Sequence, residues 1–574
     1  MTTLGWKRIS VVLLLCAMTA IASPAQTFRS LVSFDGPNGG NPYAALIQGT
    51  DGNFYGTTTS NGANGVGTIF KITPAGTLTT LYDFCAQKNC TDGSYPYPGL
   101  VQRSGDGNLY GTTSSGGAYS SACSGLGCGT VFKMSPDGKL TTLYSFNFRD
   151  GEGPNGLVQG IDGNFYGTTA YGANICIGYG CGTVFKITAE GRLTTLHRFC
   201  PQAGCIDGGE PYAGLVQGTD GNFYGTTSIG GTNDVGEVFK ISRTGKLTTL
   251  YSFCSQKNCR DGSHPSAGLV QGSDGNFYGT THLDGPNGAG TVFKISPSGK
   301  LTTLHSFCSV GPDCADGGHP FASLVQATDG NFYGTTFDGG AQYRGVVFRI
   351  SPGGVIATLY SFCSQSNCAD GSYPEAGLLQ ATNGIFYGVT VYGGTNNSAC
   401  TSFAGPCGTV FSLSTGLSPF VSFVRGTAKV GKIVEILGQG FTGTTGISFN
   451  GTAAVFKVKS DTYLNATVPA GATTGPVTVT SPGGLLTSNV PFRVRPQILS
   501  FSPTSGPVGT PVTITGVSLT QTTKVHFNGV SASFTVNSDT QVTATVPRGA
   551  RTGPIAITAA GGKTWSTGVF TVTQ

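Results

Sequence analysis

Residues 213–253 read AGLVQGTDGNFYGTTSIGGTNDVGEVFKISRTGKLTTLYSF, and this stretch decides the fold. It holds four strand-length segments rich in Val, Phe, Tyr and Thr: AGLVQ (213–217), NFYGTT (222–227), EVFKI (237–241) and LTTLYSF (247–253). Gly, Asp and Ser separate them, and none shows helical periodicity. AGLVQ reaches NFYGTT through a turn containing Asp-Gly, whose central positions accept positive φ, so a hairpin is expected there. EVFKI reaches LTTLYSF through a second short turn of the form S-x-x-G. The other two connections are longer and vary along the chain.

The pattern recurs. DGNFYGTT, with Leu109 for its Phe in one copy, begins at Asp51, Asp106, Asp162, Asp220, Asp274 and Asp329; a degenerate copy, NGIFYGVT, starts at Asn383. The spacing is about 55 residues. Seven copies of four antiparallel strands predict an all-β chain built on a seven-bladed β-propeller rather than a solenoid. The array's ends agree: GTVFSL (408–413) has no LTTLYSF after it, whereas FRSLVSF (28–34) stands alone at the start. That N-terminal strand is expected to complete the last blade and leave no open edge.

Ahead of it, Lys7 and Arg8, the apolar run Ile9 to Ile21 and the small residues Ser23-Pro24-Ala25 predict a cleaved signal peptide over 1–25. The apolar run is shorter than the ~20 residues a membrane span needs, and leucines before Cys16 argue against lipidation. No later segment suggests a span, so the mature chain is expected to be secreted or held at the cell surface. Net charge is +5, falling to about +3 without the signal, and charged residues make up 10% with no basic runs. Nucleic acid is therefore not an expected partner.

Sixteen cysteines remain after the signal, and they lie in close pairs. Cys85/Cys90, Cys200/Cys205, Cys254/Cys259, Cys308/Cys314 and Cys363/Cys368 follow the fourth strand; Cys123/Cys128, Cys176/Cys181 and Cys400/Cys407 lie between the second and third strands. A repeat lacking one member lacks both, so each pair is expected to bond to itself in an oxidising compartment. Loops this short gain roughly 2 kcal/mol from a disulfide in the chain-entropy view. A zinc site fits less well, since the pairs lack a second set of ligands. In up-down blades the two short turns share one face, and the long loops with all the cysteine pairs share the other. Function is expected on the long-loop face.

From about Leu417 a different repeat begins. FNG (449–451 and 527–529), SDT (460–462 and 538–540), ATVP (466–469 and 544–547) and TGP (474–476 and 552–554) recur at an offset of 78 residues. Two small immunoglobulin-like β-sandwiches are expected, over 417–495 and 496–574 after a propeller over 26–415. SPTSGPVGTPVTITG (502–516) followed by VHFNG (525–529) resembles an IPT/TIG domain, which implies a spacer or adhesive module; the first copy resembles it less. DGNFYGTT…GTVFKI resembles the glycine-rich GloVer tandem repeat of bacterial surface and secreted proteins. That resemblance implies no particular chemistry. It does imply a surface-anchoring segment in many members, and none is read after Thr573.

Candidate ligand residues are sought where polar groups break the repeat. The position before the Pro that leads into each first strand varies: Asn41, Tyr95, Gly153, Glu210, His264, His319 and Tyr373. His282 and Asp284 end a second strand on the same face. Glu210, His264 and His319 come from consecutive blades and would suit metal binding or acid–base chemistry if they converged; otherwise they are solvated loop residues. The order P-x-G-L, DGN-aromatic and F-K-I-x-P-x-G also looks like streptogramin B lyase, a propeller that uses His and Glu with magnesium, although no catalytic motif matches residue by residue. DGN is read as a turn in preference to a calcium loop. The Tyr of FYG is read as packing or channel lining, with sugar stacking as the alternative. No nucleophile elbow, Walker motif or H-E-x-x-H occurs. The expected function is binding or adhesion by a monomer, with polysaccharide or another cell-surface component as ligand and no cofactor or metal. A propeller lyase or hydrolase, or a purely structural array, is the alternative.

Overall fold

The computed structural model describes residues 26–119, 122–173, 181–201, 204–311, 314–395 and 407–574. The signal segment lies outside them. Within them the chain is all-β, with short 3-10 turns and no α-helix.

Residues 27–414 form seven antiparallel sheets. In the fourth, Val216–Gln217, Phe223–Thr227, Glu237–Ile241 and Leu247–Ser252 pair in chain order. The expected first strand is shorter than its sequence suggests, because only Val216 and Gln217 pair, with Tyr224 and Phe223. The third sheet adds Glu152–Pro154 against its second strand. The seventh is completed by the N-terminus: Thr27–Ser33 runs antiparallel to Thr409–Ser414, with Thr27 opposite Ser414 and Ser33 opposite Thr409.

The FYGTT positions of each second strand are buried, and the central Gly is fixed by close approach. A Cβ on Gly225 would lie 2.7 Å from Cζ of Phe239 and 2.9 Å from Cδ2 of Leu215. Phe239 sits directly opposite Gly225 in the ladder, so the missing side chain makes room for its ring. The neighbouring Tyr joins one sheet to the next. Tyr224 stacks on Phe277 with centroids 3.9 Å apart, and its hydroxyl donates to Asp220 Oδ2 at 3.0 Å. Asp220 Oδ1 in turn accepts the backbone N–H of Asn222 at 3.1 Å. DGN is thus a side-chain-closed turn that also anchors the tyrosine, and the FYG tyrosines are interior packing.

The ring contacts pass from the second sheet through to the seventh and on to the first, where Tyr387 lies 4.1 Å from Phe54; between the first and second sheets Tyr55 packs in one apolar cluster with Leu109 instead. A second set of contacts follows the same path. Gln271 Oε1 accepts the N–H of Thr219 at 2.9 Å, and Gln48 Oε1 accepts the N–H of Thr382 at 3.0 Å, joining the last sheet to the first.

Residues 422–572 form two further groups of sheets, each around its own apolar core: two four-stranded sheets and a two-stranded one in the first, a four-stranded and a five-stranded sheet in the second. Equivalent residues do equivalent work in both. Asp461 accepts from Gly440 and Thr442, and Asp539 from Ser518 and Thr520. The sequence leaves the short-turn face of the array plain, but the structure covers it. Arg495 donates to the Ile161 carbonyl at 3.2 Å, Arg425 to the Gly160 carbonyl at 3.3 Å, and Thr382 to the Gly438 carbonyl at 3.2 Å.

Candidate ligand-binding cleft

Each sheet is entered through a proline that packs against its predecessor. Pro265 occupies the space beside Gly236, where a Cβ would meet its ring at 2.8 Å. The residue before each proline is the one the sequence singles out, and all seven have positive φ, from 49° at His319 to 61° at Gly153. Side-chain-bearing residues hold that conformation only when their surroundings fix it, and here the backbone does so. The N–H of His264 donates to the Val235 carbonyl of the preceding sheet at 2.8 Å, and its own carbonyl accepts from His282 at 3.4 Å. Asn41, Tyr95, Glu210, His319 and Tyr373 make the same pair of bonds. These residues staple neighbouring sheets.

The residue after each proline faces inward. Tyr43, Tyr97, Asn155, Tyr212, Ser266, Phe321 and Glu375, one per sheet, line a cleft of about 700 Å³ on the long-loop face. Tyr43 and Tyr97 stack with centroids 4.5 Å apart, and Phe321 stacks on His282 at 4.7 Å. Tyr97 and Tyr212 remain 47% and 38% exposed, which is unusual for large aromatics unless a surface is meant to be covered. Glu375 is the one carboxylate among the lining residues, and no Lys or Arg accompanies it. Burial pushes its carboxyl up to about 7. His282, also lining the cleft, is held below the ordinary histidine range by burial.

Of the side chains the sequence selects, His282 alone lines this cleft. The others are engaged separately. The Glu210 carboxylate accepts from the Tyr212 hydroxyl at 2.8 Å. His264 Nδ1 lies 2.9 Å from Ser263 Oγ, and the Asp284 carboxylate accepts from that same Ser263 hydroxyl. His319 Nδ1 is 3.0 Å from both carboxylate oxygens of Asp338, a contact that raises its pKa. Asn41 Nδ2 donates to the Val391 carbonyl at 3.0 Å, and Tyr373 carries Arg344 over its ring at 4.8 Å. Among the described residues, Glu210, His264 and His319 do not bring their ligand atoms within 4.8 Å of one another. Among the described residues, the one group of three or more potential metal ligands within 4.8 Å is Cys181, Cys200 and Cys205, all disulfide-bonded cysteines.

The cysteine loops frame the face. Disulfides join Cys85–Cys90, Cys123–Cys128, Cys200–Cys205, Cys254–Cys259, Cys308–Cys314 and Cys363–Cys368. Two expected pairs are not among these six. Cys181 is expected to bond to Cys176, and Cys407 to Cys400, but Cys176 and Cys400 lie outside the described residues. Cys407 is buried and disulfide-bonded. Cys407 also accepts a hydrogen bond at Sγ from Asn61 Nδ2 at 3.4 Å, and its carbonyl accepts the N–H of Asn41 at 2.8 Å. It therefore joins the last sheet to the first rather than serving only its own loop. A buried aspartate, Asp92, Asp261, Asp316 or Asp370, holds four of the loops that follow a fourth strand. Asp261, for example, accepts from the Tyr251 hydroxyl at 2.8 Å and from the N–H groups of Ser255 and Gln256. The recurring Asp-Gly after these loops was the available signal for that brace.

The Gloeobacter/Verrucomicrobia repeat matches residues 17–125, 120–315, 178–403 and 313–488, and an IPT/TIG domain matches 496–573. Together the sheets, the cleft and these matches define an all-β repeat protein carrying an IPT/TIG module. The chain belongs to the Gloeobacter/Verrucomicrobia repeat family. No curated protein matches it in sequence. Among solved structures it is similar to the surface glycan-binding protein PbSGBP-B from Prevotella bryantii, at 19% identity and TM-score 0.20 over 27% of this chain and 39% of that one. It is similar to a luciferin-regenerating enzyme at 11% identity and TM-score 0.35, over 69% and 98% of the two chains. A fungal alcohol oxidase of the AA5 family gives 12% identity and TM-score 0.39 over 95% and 99%. Likeness at these scores carries no argument about function.

Proposed function

We propose that this chain is an exported saccharide-binding protein. Its seven sheets are the blades of a β-propeller over 26–415, and the units over 417–495 and 496–574 are immunoglobulin-like sandwiches that carry it. One observation supports the ligand class above the others: the exposed aromatic faces of Tyr97 and Tyr212 in a cleft that has no lining Lys or Arg. Flat aromatic rings cover the apolar faces of sugar rings while the rim supplies hydrogen bonds. Asn155, Ser266, Glu375 and the tyrosine hydroxyls are the polar groups available among the inward-facing residues. Absence of positive charge favours neutral sugars over acidic ones. Six disulfides suit an extracellular or cell-surface setting.

Calorimetric titration of the mature protein with a panel of neutral oligosaccharides tests the reading. Saturable binding that falls about tenfold in Tyr97→Ala, a loss of about 1.4 kcal/mol, supports it. Failure of every neutral oligosaccharide to bind, or binding indifferent to Tyr97→Ala and Tyr212→Ala, overturns it.

A further inference from the structure

The short-turn face carries a second cleft, of about 300 Å³, walled by the fourth sheet's turns and by both C-terminal units. Its charges are one-sided. Arg243 comes from the array, Arg493 and Arg495 from the first unit, and Lys563 from the second. The single lining carboxylate, Asp220, is already occupied: Lys240 holds it at 2.7 Å, and Asn222 and Tyr224 donate to it. Among the described residues, the Arg495 side chain donates to the Ile161 carbonyl alone. The side chains of Arg243 and Arg493 have no hydrogen-bond or ion-pair partner among the described residues, and Lys563 lies over the Trp565 ring at 5.1 Å. Trp565 is 47% exposed where it borders the cleft.

Unpaired guanidinium groups brought together from separate units repel one another, and a fold tolerates this readily when an anion completes the site. The crowding is evident in their acidities. Burial, followed by the charge of Arg495, lowers the pKa of Arg493, and burial, followed by the charge of Arg243, lowers that of Arg495. The planar fork of each arginine matches the two oxygens of a carboxylate or sulfate group. An indole beside the cations offers a stacking surface for the ring bearing that group.

We infer that this junction is a second binding site, specific for an acidic saccharide whose carboxylate or sulfate ester is held by Arg243, Arg493 and Arg495 beside Trp565. It lies on the opposite face from the neutral cleft and selects the opposite charge. Because three units contribute to it, its ligand also clamps the C-terminal units to the array.

Calorimetry on the full mature chain tests this with a tetragalacturonate, a sulfated tetrasaccharide, a neutral maltotetraose and inorganic sulfate. One or both acidic tetrasaccharides should bind, and which of them binds distinguishes carboxylate from sulfate ester. Maltotetraose should not bind at this site. Affinity should fall at least tenfold in Arg493→Gln/Arg495→Gln and about threefold in Arg243→Gln, each checked for native circular dichroism. Trp565→Ala should weaken the tetrasaccharide and leave inorganic sulfate unchanged, whereas Tyr97→Ala should alter neither. Binding should weaken as salt rises, because ions screen the attraction between the arginines and the acidic groups. The site is overturned if neither acidic tetrasaccharide binds, if the arginine variants bind as tightly as the parent, or if inorganic sulfate binds as well as the sugars. The neutral cleft is unaffected by any of these outcomes.

Discussion

The Tyr212 hydroxyl donates to the Glu210 carboxylate at 2.8 Å, and Tyr171 meets the same hydroxyl at 2.8 Å from the neighbouring sheet. A residue that staples two sheets through its backbone therefore also holds an aromatic platform through its side chain. Tyr212→Ala removes the platform and is expected to weaken saccharide binding about tenfold. Tyr212→Phe keeps the ring but loses both bonds, and Glu210→Ala loses one, so each is expected to cost about threefold. Titration of the three variants in parallel checks the order. Equal losses in Tyr212→Phe and Tyr212→Ala would show that the hydroxyl, not the ring, meets the ligand.

Glu375 gives the neutral cleft a pH dependence. Burial raises its carboxyl from 4.5 to about 7, so folding favours the protonated form. Below pH 4.5 the group is neutral folded or unfolded, and its burial carries no charge penalty. The penalty grows as pH rises to about 7 and is constant above it. Glu375→Gln is expected to melt close to the parent at pH 4 and above it at pH 8. A carboxyl carbon NMR titration should place the Glu375 midpoint near 7, and a midpoint in the ordinary glutamate range would refute the assignment.

The repeat made most of the architecture legible. Four segments per 55 residues and the orphan FRSLVSF at the start were enough to predict the sheets and the pairing of Thr27–Ser33 with Thr409–Ser414. The lining of the cleft was less legible than the sheets. Strand alternation alone would put the residues on either side of the proline on the same face, but the positive φ of the residue before it breaks the alternation, and the two play different parts. His264 bonds to the preceding sheet while Ser266 lines the cleft; Glu210 and Tyr212 divide the work the same way. Variability before the proline drew attention to the first set. Variability after it, with Tyr, Asn, Ser, Phe and Glu at one repeat position, was the better signal. The basic junction could not be read from spacing, because Arg243, Arg493 and Lys563 come from three units remote in sequence.

Gly225 tests whether close approach, rather than turn geometry, fixes the centre of FYGTT. An added methyl would meet Phe239 and Leu215 at 2.7 and 2.9 Å, in a strand buried along its whole length. Overpacking of this kind costs ~1–3 kcal/mol. Gly225→Ala is expected to lower the thermal midpoint, and adding Phe239→Leu should recover part of the loss. A Gly225→Ala protein that melts like the parent would show that the ring moves aside freely.

Glu237 breaks the repeat inside the array. In five sheets a buried threonine pair joins the second and third strands, as in the 2.9 Å contact between Thr281 and Thr291. In the fourth, Glu237 faces Thr227 in the ladder. Its Oε1 accepts from Thr249 at 3.1 Å, but its Oε2 and the Thr227 hydroxyl are buried without partners among the described residues. Burial pushes the carboxyl from 4.5 up to about 8. A raised folded-state pKa means that the group carries no charge penalty below about 4.5 and destabilises increasingly as pH rises to about 8. Glu237→Thr should restore the threonine pair and stabilise the protein on the order of 3 kcal/mol at pH 8.5, with a smaller gain at pH 5. Paired thermal melts at the two pH values measure this. A gain that does not grow with pH would mean that the carboxylate is solvated, and a loss at pH 8.5 would mean that Glu237 has a charged partner the fold needs.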